Sequence, residues 1–163
     1  MAKTKQTRPL GTPEAVKQFI EGWDFEPPAR AVSDISSELA TSVPAGCPYS
    51  VATQVAHMLF WQKRWLGSID NLPLERKKGK HGDFPKVAPN DWEAVRSEFV
   101  AGLETVKAKA ADPDELARSL PKGKLVEQLI LQIVIHNTYH LGQISLLRQL
   151  LNSWPPAGGW DAW

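Results

Sequence analysis

The sequence predicts an all-α fold, a four-helix bundle, and three observations support this. Apolar residues recur every three or four positions through the long stretches 50–69, 91–111 and 125–151, which is the periodicity of an amphipathic helix. No stretch alternates apolar and polar residues with the β-branched content that is typical of a strand. Breaks rich in proline and glycine separate the periodic stretches, so the chain divides into four helical units.

The first helical unit is expected to be broken. Thr12 is placed to cap a helix start, a proline follows it, and apolar positions continue to Ile20. Pro27 and Pro28 then interrupt the chain, and the segment 29–40 again has apolar residues at helical spacing. We therefore predict a first helix in two pieces.

The other three units have their own boundary signals. Ser50 is placed to cap the second helix, and the segment 70–90 after it is rich in proline, glycine and lysine, which predicts a long crossover connection. Asn90 or Asp91 is placed to cap the third helix, and the fourth is the longest periodic stretch, over 125–151.

One domain is expected over residues 1–163, because this length with 42% hydrophobic residues can bury a core without covalent cross-links. Within it, 1–11 is predicted to be a flexible N-terminal segment and 153–163 an aromatic tail. The prolines of the tail cannot continue the fourth helix, and its three tryptophans would be costly to leave in water. We expect them to pack across an end of the bundle or against a subunit partner.

Charge and cysteine usage exclude several classes of protein. Nineteen basic and eighteen acidic residues give a net charge of +1, so we expect neither nucleic acid nor a membrane as a partner. The basic run 75–81 is interpreted as a solvated loop, with phosphate or nucleic-acid binding as the lesser alternative. A single cysteine, Cys47, forms no internal disulfide, and no secretory signal or membrane-length apolar run is present, so a cytoplasmic protein is expected.

Three histidines are candidate metal ligands. His136 and His140 lie one helical turn apart, within roughly 40° of one another at about 100° per residue, on the face that should meet the core. His57 lies near the apolar face of the second helix. One divalent ion would satisfy all three imidazoles at once, although buried histidines with ordinary hydrogen bonds are the simpler alternative. His81, in the basic run, is interpreted as unrelated.

The segments around these histidines resemble a known family. The run His136-Asn-Thr-Tyr-His-Leu-Gly-Gln-Ile144, with two prolines eleven residues after its end, resembles the last helix of the DinB/YfiT-like superfamily of metal-dependent enzymes, and the segment 49–57 resembles that family's segment with the first histidine. The resemblance implies a four-helix bundle, a homodimer, and zinc or nickel held by His57, His136 and His140. It also implies a small-molecule substrate, in some members a low-molecular-weight thiol.

The residues beside the candidate ligands restrict the chemistry. Asn137 stands where the HExxH helix of metalloproteases has its glutamate base, no carboxylate replaces it nearby, and Glu127 falls on the opposite side of the helix. Three protein ligands leave an open position for water or a thiol. Four further residues are candidates for a pocket or for orienting a ligand: Gln54, Trp61, Arg64 and Gln143.

Two functions remain open at the level of sequence. The first is a metal-dependent hydrolase or thiol-dependent transferase that acts on a small molecule through metal-activated water or thiol. The second is a non-catalytic helical binding module that the ion only stabilises. An enclosed pocket beside the ion would favour the first, and a saturated coordination shell without a cavity the second.

Overall fold

The computed structural model describes residues 11–74 and 82–158, and within these ranges it contains helices and no strand. The helices, in chain order, are α1 Thr12–Glu21, α2 Pro28–Ala31, α3 Ser37–Thr41, α4 Val51–Ile69, α5 Trp92–Ala110, α6 Pro113–Ala117 and α7 Val126–Leu150. Short 3-10 turns precede α5 and α7, at Pro89–Asp91 and Pro121–Gly123. The all-α prediction is confirmed. Among the described helices, none is both long and apolar enough to cross a membrane.

The core lies between the long helices. α4 packs against α5 and α7, and α1 packs against α5 and α7 as well. Periodic apolar residues fill the space between them, including Val55 and Met58 of α4, Phe99 of α5, and Ile133 and Ile144 of α7, each fully buried. α4 and α7 therefore lie side by side, and polar residues of the two helices meet within the core, as in the hydrogen bond from the Asn137 side chain to that of Gln62.

The caps are partly as expected. The Ser50 hydroxyl accepts a hydrogen bond of 3.1 Å from the Thr53 amide, which confirms it as the cap of α4. The side chain of Asp91 makes no capping bond to α5. Thr12 does not cap α1 either: Gly11 occupies that position, and the Thr12 hydroxyl donates instead to the Glu127 carboxylate on α7.

The prediction of a single helical segment over 29–40 is wrong in its middle. Residues 32–36 are not helical, and Asp34 has a positive φ of 50°. The cause is the fully buried guanidinium of Arg148, which donates hydrogen bonds to the carbonyls of Ala31, Ser33 and Asp34. These carbonyls point toward the guanidinium and therefore cannot accept the backbone hydrogen bonds of a continuous helix.

The crossover connection returns to the bundle before α5 begins. Asp83 is buried, and the ring of Phe84 lies parallel to that of Tyr49 with centroids 4.4 Å apart. The basic run 75–81, with His81, lies outside the described residues, as do 1–10 and 159–163. Of the three tail tryptophans only Trp154 is described, and it packs against the core with the Arg148 guanidinium 5.7 Å from its ring.

Candidate metal centre

Two facing helices bring the three histidines together. His57 is on α4, and His136 and His140 are one turn apart on α7. Their potential ligand atoms all lie within 4.8 Å of one another, and the Nε2 atoms of His57 and His136 are 3.1 Å apart. The cluster forms because α4 and α7 pack directly against each other in the register set by their apolar residues.

The spacing suits one ion. Atoms no more than 4.8 Å apart lie within about 2.8 Å (4.8 Å divided by √3) of a common point. Zinc–imidazole bonds are about 2.0–2.1 Å long, and at tetrahedral angles two such ligand atoms are about 3.4 Å apart. The 3.1 Å separation between His57 and His136 is close to that value. The three histidines could therefore hold a metal ion.

In two of the histidines, the ring nitrogen that faces away from the cluster, Nδ1, is already hydrogen-bonded. Nδ1 of His57 lies 2.6 Å from the backbone oxygen of Asp83, and Nδ1 of His140 lies 2.9 Å from the side-chain oxygen of Gln143. These oxygens accept, so each Nδ1 donates and each neutral ring keeps a lone pair on Nε2. Histidines that bind metals are oriented in this way, by a carbonyl or carboxylate on the nitrogen that does not bind the ion.

Burial favours the neutral form of His136 and His140. It lowers the pKa of His136 to about 4, and the neighbouring His140 and His57 contribute in the same direction, while the Asn137 side chain acts against it. The pKa of His140 is also lowered, chiefly by burial. Nδ1 of His136 is buried and has no hydrogen-bond partner within the described ranges. At neutral pH both rings are therefore in the form that binds a metal ion.

The crossover connection supplies a wall of the site that the sequence did not reveal. The ring of Phe84 stacks on His57, with centroids 3.7 Å apart and planes 14° from parallel. The carboxylate of Asp83 is buried, with Oδ2 4.0 Å from His57 Nδ1. The loop thus brings a carboxylate to the outer nitrogen of His57, but not to the position beside His136 where a metalloprotease has its glutamate base. The only sign of this wall in the sequence was that Phe84 is the single aromatic residue in the segment 70–90.

The predicted neighbours are not all at the cluster. Gln143 contacts His140 as described, and the Trp61 ring lies 6.5 Å from His136. Gln54 is buried on α4, and its side-chain oxygen has no hydrogen-bond partner in the described part of the chain. Arg64 borders other hollows farther along α4.

Farther along α7, the positions are mixed. Glu127 lies away from the histidines, as expected, and is held by Thr12. Gln132, four residues before His136 on the same helix, is exposed.

An open apolar groove lies beside the histidines. It has a volume of about 710 Å³. Trp61 and Trp65 border it on α4, and His136, Leu131 and Ile135 border it on α7. The two indoles stack with centroids 5.2 Å apart, and the edge of Trp65 meets His136 at 5.1 Å. A molecule in this groove would therefore lie in contact with one of the candidate ligands.

The fold and the site define an all-α protein with three histidines, on two helices, that could hold one metal ion. The family model of the DinB superfamily matches residues 29–144, a range that includes all three histidines. The chain belongs to the DinB superfamily. No curated protein sequence is similar enough to count as a match.

Proposed function

We propose that this protein is a metal-dependent enzyme that binds one divalent ion, zinc or nickel, through His57, His136 and His140. The observation that supports this most is the cluster of three imidazoles whose ligand atoms lie within 4.8 Å of one another. The donor set of nitrogens suits zinc and nickel better than magnesium or calcium, which prefer oxygen. When bound, such an ion supplies an open position where water or a thiol loses its proton near neutral pH.

The residues around the cluster would prepare the site for this chemistry. The Asp83 carbonyl and the Gln143 amide oxygen fix the orientation and the proton position of His57 and His140. Phe84 covers one face of the His57 ring and excludes water from it. The Asp83 side chain lies on the same outer side of His57, with Oδ2 4.0 Å from Nδ1.

A small molecule is the proposed substrate, and hydrolysis or thiol-dependent transfer the proposed reaction. The groove beside His136 is open rather than enclosed, but it gives a small molecule a place to lie against a candidate ligand, which a binding module does not need. The absence of a glutamate beside His136, where Asn137 stands, argues against a metalloprotease.

Metal content tests the proposal. Protein purified without an affinity tag should contain about one zinc or nickel per chain by elemental analysis, since three histidines form one such site. His140→Ala and His136→Ala should lose most of it. His81→Ala, the matched control, should keep it. Esters, amides and thiol adducts would then be screened with and without chelator, and turnover that survives complete removal of the metal would contradict the proposal.

We also propose a homodimer that forms through the exposed face of α7. Tyr139, Leu146 and Leu150 follow one another at spacings of seven and four residues, and are 66%, 56% and 52% exposed. An apolar stripe with this spacing is typical of a helix that packs on another helix. Light scattering should show a dimer that Leu146→Glu dissociates, while Leu72→Glu, at another exposed leucine, leaves it intact. The cytoplasm remains the proposed location, on the basis of the single cysteine.

A further inference from the structure

Two buried amide side chains connect α5 to the candidate metal centre. Gln62 of α4 and Asn137 of α7 are 1% and 0% exposed. Gln62 Nε2 donates to the backbone oxygen of Phe99 at 3.0 Å, and Asn137 Nδ2 donates to Gln62 Oε1 at 3.3 Å. Asn137 directly follows the candidate ligand His136. This pair of amides therefore ends beside the histidine cluster.

The Phe99 carbonyl fixes the orientation of both amides. A carbonyl only accepts hydrogen bonds, so Gln62 must turn its nitrogen toward Phe99 and its oxygen toward α7. That oxygen also only accepts, so Asn137 must turn its nitrogen toward Gln62. Neither amide can turn over without the loss of a buried hydrogen bond. Oδ1 of Asn137 is therefore left as an acceptor on the side away from Gln62.

Two buried atoms of adjacent residues lack a partner at this end. Asn137 Oδ1 and His136 Nδ1 are both buried, and neither makes a hydrogen bond of normal geometry within the described ranges. Burial lowers the pKa of His136 to about 4, and the Asn137 side chain acts on it in the opposite direction as a hydrogen-bond partner, so the two side chains are close. Buried polar atoms are rarely left unpaired. The acceptor and the ring nitrogen are thus available to each other.

Gly102 of α5 provides the space for this arrangement. A Cβ atom at this position would overlap the amide nitrogen of Gln62. A larger residue would therefore push that amide away from the Phe99 carbonyl, and Asn137 would lose the partner that holds it. Consecutive residues of a helix point about 100° apart, so a bond between Asn137 and His136 requires that the amide be held in place. The hydrogen bond to Gln62 holds it.

We propose that Asn137 is a positioning residue of the metal centre, whose Oδ1 accepts the Nδ1 proton of His136 when Nε2 of that ring binds the ion. The inference rests on the proposed metal-dependent function. His136 is then oriented as His57 and His140 are, by an oxygen on the nitrogen that does not bind the ion. Because Oδ1 only accepts, it favours the tautomer of His136 that has its proton on Nδ1 and a lone pair on Nε2.

Zinc affinity, measured by competition titration with a chelator, tests this role. Asn137→Leu has a similar shape but no acceptor, and it should weaken zinc binding about 10- to 100-fold. Asn137→Asp keeps an oxygen at the same place, and its charge favours a cation, so it should bind zinc at least as tightly as the wild type. Gln62→Leu leaves Asn137 without its holding bond and should weaken zinc binding about tenfold, the low end of that range.

Thermal unfolding of the metal-free protein separates positioning from a purely structural role. Asn137→Leu and Asn137→Asp both lose the donor to Gln62, so both should have a lower melting temperature than the wild type. If Asn137 only stabilised the packing, zinc affinity would fall in both variants. Arg148→Met is the control, because Arg148 is fully buried on the same helix, eight residues beyond His140. It should lower the melting temperature and leave zinc affinity unchanged. Equal losses of affinity in Asn137→Asp and Asn137→Leu would overturn the proposal.

A crystal structure of the zinc-loaded wild type tests the same bond without a variant. Asn137 Oδ1 should lie within about 3.2 Å of His136 Nδ1. A water molecule between the two atoms, or an amide that points elsewhere, would overturn the proposal. A wild type that binds neither zinc nor nickel would overturn the proposed function and this role together. A wild type that binds zinc no more tightly than Asn137→Leu would overturn the role of Asn137 alone.

Discussion

Replacement of Arg148 should destabilise the fold more than most single substitutions in this chain. Its guanidinium is fully buried and makes five hydrogen bonds to four backbone carbonyls: two to Ser153, and one each to Ala31, Ser33 and Asp34. These bonds hold the non-helical residues 32–36 and the turn after α7 against the same side chain. Arg148→Met keeps a similar length and removes every donor.

The magnitude follows from those carbonyls. Each buried or partly buried carbonyl that loses its donor costs about 1 kcal/mol at the low end of the measured range. Removal of the guanidinium also removes its own desolvation cost, which lowers its pKa in the folded chain and offsets part of the loss. A net decrease of about 3 kcal/mol in the free energy of unfolding is therefore expected, a large share of the 5–15 kcal/mol that is typical of a domain.

Urea unfolding followed by circular dichroism measures this decrease. Arg148→Met should shift the midpoint to lower urea with an unchanged slope. Arg148→Lys is the informative comparison, because its ammonium keeps the charge but cannot reach four carbonyls in a planar fork, so it should recover only part of the loss. A decrease below about 1 kcal/mol in Arg148→Met would refute the assignment of these hydrogen bonds as the cause of the break in the helix.

Three further predictions concern the site and its support. Because burial lowers the pKa of His136 to about 4, the folded chain binds a proton there at a lower pH than the unfolded chain does. Metal-free protein should therefore lose thermal stability as the pH falls from about 6.5 to about 4. Calorimetric scans should show a smaller loss over that window for His136→Gln. Gln143→Leu removes the acceptor for His140 Nδ1 and should weaken metal binding about 10- to 100-fold in competition titrations with a chelator. Gly102→Ala would place a Cβ 1.8 Å from the Gln62 amide nitrogen, so the melting temperature should fall despite the better helix propensity of alanine.

Much of the fold was predictable because it depends on local patterns. The long helices α4 and α7 follow from apolar residues at helical spacing, and the Ser50 cap follows from a hydroxyl at the start of such a run. The break between α2 and α3 could not be predicted in the same way. It depends on Arg148, more than a hundred residues later in the chain, whose burial no local pattern indicates.

In the candidate site, too, the residues on helices were predictable and those on the loop were not. His57, His136 and His140 were identifiable because each lies on the inward face of a periodic helix and together they match a family pattern. Asp83 and Phe84 were missed, because the crossover connection has no periodicity to show which of its residues turn toward α4. Residues that a loop carries to a site become visible only when the loop's path is known.

X-ray absorption spectroscopy of the zinc- or nickel-loaded protein is the most direct test of the central claim. The account predicts three imidazole nitrogens at about 2.0–2.1 Å from the ion, with the outer-shell scattering of histidine rings, plus one or two lighter ligands. His140→Ala should remove one imidazole from that shell. A shell without imidazole, or one in which sulfur from Cys47 is a main ligand, would contradict it.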